Sequence, residues 1–302
     1  MRIIIPQNFD YDDIESSIPE GDEPLWDSAT TYAKGDVVRI GYSLFTSIAD
    51  NNSGNNPEKT SSGTYARWAK SGVTNRGALF DNYLYTQSVA EEQTPLSVTV
   101  PWVRSTGFAL FNITGAVNLT MEVRNSADEI VASKKYNLLY GVDNWYDYFA
   151  YNFSFIRDLT DFDFGGFMNG KATFTLRGSQ PAAGHLVIGD LHEPGATLYG
   201  ATAELINYSN IETNEFGVTD IVERVSAKRY DCQLYLHPRR ADSIFDLFDQ
   251  LRAKPCVWIG DNRTSDDGGH SSLTVFGLYK SASLTFDGPN ECVYDMEITG
   301  FV

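Results

Sequence analysis

A mainly β fold is expected, on three observations. Aromatic residues make up 13% of the 302 residues, glycines number 25, and short runs alternate apolar with polar residues between turn-forming stretches. Leu96-Ser-Val-Thr-Val100, Phe108-Ala-Leu-Phe111, Leu119-Thr-Met-Glu-Val123 and Ala172-Thr-Phe-Thr-Leu176 all fit the period-two pattern of half-buried strands. With 42% hydrophobic residues, a sizeable core can form. The length allows two or three domains at about 100–200 residues each.

Four segments follow in order. Residues 1–23 open with the apolar Met1-Arg-Ile-Ile-Ile-Pro6 and continue into an acidic stretch, which predicts an extended N-terminal arm, either solvated or docked on a neighbouring subunit. Residues 24–73 predict a small three-stranded module. Val37–Ile40 and Tyr42–Phe45 are strands joined at Gly41, and Asp50–Pro57 is a cluster of turn residues. A unit this small has little to bury, so Trp26, Tyr32, Tyr42 and Trp68 are expected to supply most of its apolar area.

Residues 74–200 carry the alternating strands and predict a central β-sandwich, jelly-roll-like in arrangement. Residues 201–302 predict a β-sheet domain with one packed helix over residues 242–253. Ile244, Leu247, Phe248 and Leu251 form its apolar stripe, Asp242 is its candidate N-cap, and Pro255 follows as a stop. Strands are expected at Ala227–Leu236, Cys256–Gly260, Leu273–Tyr279, Ser283–Phe286 and Val293–Ile298.

Charge and cysteine usage bound the function. The balance of 23 Lys+Arg against 40 Asp+Glu gives a formal charge of −17. Such a surface repels polyphosphates and anionic membranes, so sequence-specific nucleic-acid binding is not expected. An acidic wall past which DNA slides is compatible with it. Cys232, Cys256 and Cys292 are sparse and form no C-x-x-C pair, the usage of a chain folded in a reducing cytoplasm. The opening residues are too few for a signal-peptide core, and no 18-residue apolar run occurs, so no membrane insertion is expected.

The residues for catalysis are not assembled in the sequence. His185, His192, His237 and His270 do not pair at i, i+2 or i+4, and neither a G-x-S-x-G elbow nor a phosphate-cradling glycine loop occurs. No catalytic residue and no cofactor is therefore assigned. Two acidic turns, one holding Asp161 and Asp163 and one holding Asp266 and Asp267, are candidates for a hard cation. Neither has the bidentate glutamate at EF-hand spacing, and the competing reading is a solvated turn. The run Trp145-Tyr-Asp-Tyr-Phe149 is either a ring platform for sugar C–H faces or a core cluster, and burial energetics favour the core.

Two resemblances follow from these residues. Trp26, Tyr32, Gly35-Asp36, Val38, Tyr42, Phe45, Pro57 and Trp68 are spaced as in the small chitinase-type carbohydrate-binding module. Where that family places adjacent tryptophans after its second strand, this chain has Ser47-Ile-Ala-Asp50, so the scaffold matches and the sugar platform departs. Trp26, Tyr32, Tyr42 and Trp68 are the glycan-binding candidates the resemblance supplies, with the core as their other reading. Over nearly the whole length, the chain resembles siphophage tail-tip and baseplate proteins. That resemblance rests on the order of Arg2–Pro6, Ser17–Glu20, Thr74-Asn75-Arg76, Phe80-Asp81, Trp145–Phe149, Tyr208-Ser209, Phe216-Gly217, Val222–Arg224, Pro255–Gly260, Val275–Tyr279 and Met296–Gly300.

The second resemblance implies a virion component of a phage tail, assembled in the host cytoplasm. It implies a homo-oligomeric ring, contacts with other tail proteins (tail tube, hub, tape measure) and contact with a host-surface polysaccharide. The expected function is thus a non-enzymatic structural component of a tail tip or baseplate. A stand-alone lectin-like carbohydrate-binding protein is the alternative. A polysaccharide-degrading spike ranks below both, because the chain lacks a repetitive β-helix.

Overall fold

The computed structural model describes residues 1–8, 10–19, 21, 23–63, 65–140, 146, 154–162, 164, 169–213, 215–217, 219–261, 263 and 269–302. Asp163, Asp266, Asp267 and the run 145–149 apart from Tyr146 lie outside the described residues. The fold is mainly β, and two antiparallel sheets dominate it.

The smaller sheet orders Ile130–Asn137, Thr114–Arg124, Gly170–Ala183, Leu96–Trp102 and Glu15–Ser16, with Ser88–Val89 also on Gly170–Ala183. Alternation fixes its register: Leu96, Val98, Val100 and Trp102 point inward while the residues between them face outward. Leu119, Met121, Val123, Phe174 and Leu176 extend the same inner face. Phe108, Leu110, Leu186 and Ile188 of the larger sheet close over it, and Phe108 meets Phe174 edge-on at 5.0 Å between ring centroids. The chain passes between the two sheets at Asn112-Ile113 and at Gly184, where a Cβ would lie 2.7 Å from the Leu84 carbonyl oxygen. These crossings make the two sheets a sandwich.

The larger sheet is curled. It orders Leu159–Phe162, Gly107–Phe111, His185–His192, Arg2–Pro6, Cys256–Ile259, Thr274–Phe286, Cys292–Gly300, Ser226–Leu236 and Ala196–Thr197, with Thr202–Asn207 also on Ser226–Leu236. One sheet therefore contains strands from both the sandwich segment and the C-terminal segment. The expected boundary near residue 200 does not divide it.

The N-terminal segment corrects the sequence reading most plainly. Residues 1–23 are not an arm: Arg2–Pro6 sits inside the sheet, paired to His185–His192 on one side and to Cys256–Ile259 on the other. Ile3 and Ile4 are fully buried on opposite faces, because a strand covered on both sides needs apolar residues in a continuous run. Glu15–Ser16 then pairs with Leu96–Trp102 in the other sheet, so the first sixteen residues tie the two sheets together.

In the C-terminal half, a 3-10 turn Pro238–Arg240 runs into the helix Ala241–Gln250. The helix begins and ends earlier than the sequence pattern suggests. Arg240, with no side-chain cap bond, occupies the N-cap position, while Asp242 sits in the first turn, where its charge still complements the dipole. Beyond the helix, Ala253 turns to φ +59° before Pro255. Ile244, Phe248 and Leu251 are buried against Trp258, Tyr294 and Met296, and the Tyr279 hydroxyl donates to the Phe248 carbonyl at 2.8 Å. Thr274–Phe286 is one continuous strand that absorbs both of the strands expected there, with a register shift between Tyr279 and Ser281.

The module of residues 24–73 has a three-stranded sheet of Val37–Ile40, Ser43–Ser47 and Trp68–Val73, plus the short pair Thr31–Tyr32 and Asn52–Ser53. Gly41 makes the first hairpin turn at φ +56°, a conformation open to glycine at little cost.

Candidate binding surfaces

Three of the four module aromatics do not present free ring faces. Trp68 is fully buried and Tyr32 nearly so; their rings meet edge-on at 5.2 Å and pack with Val38 and Phe45. The Trp68 indole N–H donates to the Asn55 carbonyl at 2.8 Å, and buried Asn52 donates to Ser47 and to the Arg67 carbonyl, which fixes the turn cluster around the ring. Trp26 is half-buried against the same cluster.

Tyr42 belongs elsewhere. It packs against the sandwich core with the Arg76 guanidinium 5.7 Å from its ring, so it joins the module to the sandwich. The spacing of large residues in the module is thus a packing pattern, and the glycan reading of Tyr32 and Trp68 has no accessible ring to act through.

The exposed rings lie on a different element. Tyr83 and Tyr85 are each more than half exposed, with centroids 5.6 Å apart, while Leu84 between them turns inward. Asp81 holds this loop: its carboxylate accepts from the Tyr83 N–H at 3.0 Å and from the Thr86 hydroxyl at 2.7 Å. Burial nonetheless raises the Asp81 pKa, the larger effect against those bonds. The alternation Tyr83-Leu84-Tyr85 was the available sequence signal for this pair. Tyr65 on the module is also largely exposed.

Asp161 is not in a solvated turn. It lies in the strand Leu159–Phe162, 1% exposed, and its carboxylate accepts from Lys134 Nζ at 2.6 Å, the Tyr136 hydroxyl at 2.6 Å and the Phe162 N–H at 2.7 Å. Lys134 and Tyr136 belong to the edge strand of the other sheet, so this polar cluster spans the sandwich. Oxygens already committed in this way are not open to a cation. Among the described residues, no three His, Cys, Asp or Glu side chains gather as a metal site.

The histidines stay dispersed. His192 lies within 3.5 Å of Asp190, and His237 caps the 3-10 turn by accepting from the Arg239 N–H. His185 is buried beside Phe276, ring centroids 4.5 Å apart, at a groove of about 790 Å³ that Pro6, Phe80 and Lys254 also line. Its Nδ1 has no hydrogen-bond partner among the described residues. Burial lowers its pKa to about 4, opposed by a weaker hydrogen bond to the Leu79 backbone. No family model, no curated protein and no solved structure matches this chain.

The neutral His185 predicts a pH dependence. An unfolded histidine titrates near pH 6.5, so between about 4 and 6.5 the unfolded chain binds the proton that the folded chain refuses. The stability it contributes is complete above pH 6.5 and is lost as pH falls towards 4, to the extent of about 3 kcal/mol. Urea unfolding at pH 7 and pH 4 is expected to show a drop larger by that amount in the native chain than in His185→Gln. Equal drops in the two proteins would rule it out.

The three cysteines are buried free thiols. Burial pushes Cys232 up to about 11 and Cys256 up to about 12, which keeps them protonated and unreactive. No helix is long and apolar enough to cross a membrane among the described residues.

A second groove, of about 400 Å³, opens where Thr202–Asn207 and residues 223–228 meet the sandwich. Phe111, Phe276 and Phe301 are among the apolar residues that line it, and Arg157, Arg224 and Lys228 bring cations to it. Lys228 binds Asp158 at 2.5 Å, which joins the strand Ser226–Leu236 to the opposite end of the curled sheet. Between the lining residues Leu205 and Glu223 the chain makes a hairpin, Asn210–Thr213 with Thr219–Val222, that forms a two-stranded sheet of its own and is exposed along both strands.

Proposed function

We propose that this protein is a structural component of a bacteriophage tail tip or baseplate, acting through surfaces rather than through chemistry on a substrate. The observation that carries the reading is the exposed hairpin that stands apart from both large sheets. Ile211 and Ile221 are paired on one of its faces and are 62% and 64% exposed, on an element that buries nothing of its own. Apolar side chains held out by ordered strands suit a protein partner. The resemblance of the order of segments to siphophage tail proteins points in the same direction.

Contact with a host-surface polysaccharide is the second reading, and Tyr83 with Tyr85 is the observation that favours it, since exposed rings offer faces to sugar C–H groups. Mass spectrometry of purified particles from the source of this gene tests the first reading. The chain should be present in several copies per particle, and its absence would sink the proposal. Calorimetric titration with host cell-wall polysaccharide tests the second. Binding should weaken at least about tenfold in Tyr83→Ala/Tyr85→Ala, a loss of about 1.4 kcal/mol. Equal affinity in the two proteins would exclude those rings.

A further inference from the structure

We infer that the hairpin of one copy docks into the groove at the hairpin base of a second copy, a head-to-tail contact between identical chains. The inference deepens the reading above, since it names the partner and the mode of contact.

The hairpin is incomplete alone. A lone two-stranded ribbon is marginal in water, and this one has two further defects. Glu212 lies directly across from Asp220, a like-charge pair that weakens an isolated ribbon. Ile211 lies across from Ile221 on the other face, both exposed. Residues 207–222 carry Glu212, Glu215 and Asp220 and no Lys or Arg. The ribbon therefore needs a partner that offers cations to one face and apolar area to the other.

The groove at the hairpin's own base offers both. Arg157, Arg224 and Lys228 stand beside Phe111, Phe276 and Phe301, on a chain whose overall charge is −17. Of the acidic side chains that line it, Asp158 is already bound to Lys228 and Glu223 offsets one arginine, so the three cations remain in excess. A groove of about 400 Å³ accepts a few side chains of a ribbon tip rather than a whole domain. Among the described residues, none from 207 to 222 lines the groove, and at the neck the Arg224 N–H donates to the Ser209 hydroxyl at 3.0 Å, so the hairpin does not fill the groove of its own chain. Because tip and groove are different surfaces of one chain, the contact is heterologous: it closes into a ring or continues as a filament according to the rotation between copies.

Sedimentation velocity of the full chain, from about 1 to 100 μM, tests this. The native protein should self-associate. Glu212→Lys/Asp220→Lys and Arg157→Glu/Arg224→Glu should each weaken association at least about tenfold, because each now sets like charges together. Combining the two pairs, by mixing the variants or on one chain, should restore it. All four positions are exposed, so circular dichroism should be unchanged, and a variant that loses its β signal is replaced by Ile211→Ser/Ile221→Ser, read the same way. A native protein that stays monomeric, association indifferent to the tip variants, or charge swaps that fail to rescue would each overturn the inference. A monomer that is nevertheless found in particles would leave the tail reading standing and assign the hairpin to a different protein.

Discussion

Trp68→Ala is expected to unfold residues 24–73 while both large sheets stay folded. The module's buried apolar set is Tyr32, Val38, Phe45 and Trp68, with Trp26 and Ile40 against it, and Trp68 is the largest of them. Truncating a buried tryptophan costs about 3–5 kcal/mol. The indole N–H bond to the Asn55 carbonyl that steadies the turn cluster is lost as well. At about 0.05–0.15 kcal/mol per residue, a unit of this size has only a few kcal/mol to lose. Hydrogen exchange followed by mass spectrometry should show peptides from Val37–Ile40 and Ser43–Ser47 losing protection, with Leu96–Trp102 unchanged. Uniform slight loosening across the chain would instead make the module an integral part of the sandwich, through the Tyr42 contact.

The second large effect belongs to Asp161→Ala, expected to lower stability by about 3 kcal/mol in urea unfolding. Removing this carboxylate takes away the buried acceptor that the Tyr136 hydroxyl, the Phe162 N–H and Lys134 Nζ share. Lys134 is 36% exposed and can turn to water, which keeps the cost below that of a fully enclosed pair. Asp161→Asn keeps one acceptor and should lose less. A change below about 0.5 kcal/mol in the alanine variant would mean that the cluster rearranges freely.

Much of this fold is legible in sequence because local patterns carry it. The alternation in Leu96–Trp102 gives both the strand and its inward face, and the stripe of Ile244, Leu247, Phe248 and Leu251 gives the helix. The three-stranded module follows from its spacing of aromatics and turns. Arg2–Pro6 is a different case. Three consecutive isoleucines say strand, but nothing local names partners at His185–His192 and Cys256–Ile259.

Asp161 misleads for the same reason. Its neighbours in sequence look like an acidic turn, and the lysine that neutralises it comes from another sheet. The hairpin was only partly within reach of pattern reading. Asn210-Ile-Glu-Thr213 and Thr219-Asp-Ile-Val222 flank the turn residues Phe216-Gly217 without strict alternation, and their isoleucines are exposed, so no core face marks them. Tyr83 and Tyr85 carry no module spacing signal, whereas Tyr32 and Trp68, which match the module pattern, are core.

The placement of Arg2–Pro6 also sets an order of events during synthesis. This strand is made some 180 and 250 residues before its partners, so the central sheet cannot close until both of them have left the ribosome. Until then its isoleucines are uncovered and its edges unpaired, the state in which nascent β chains aggregate. Contacts this distant in sequence also make closure slow. Refolding from urea should therefore be slow and concentration-sensitive, and chaperone binding in the cell is expected at this strand.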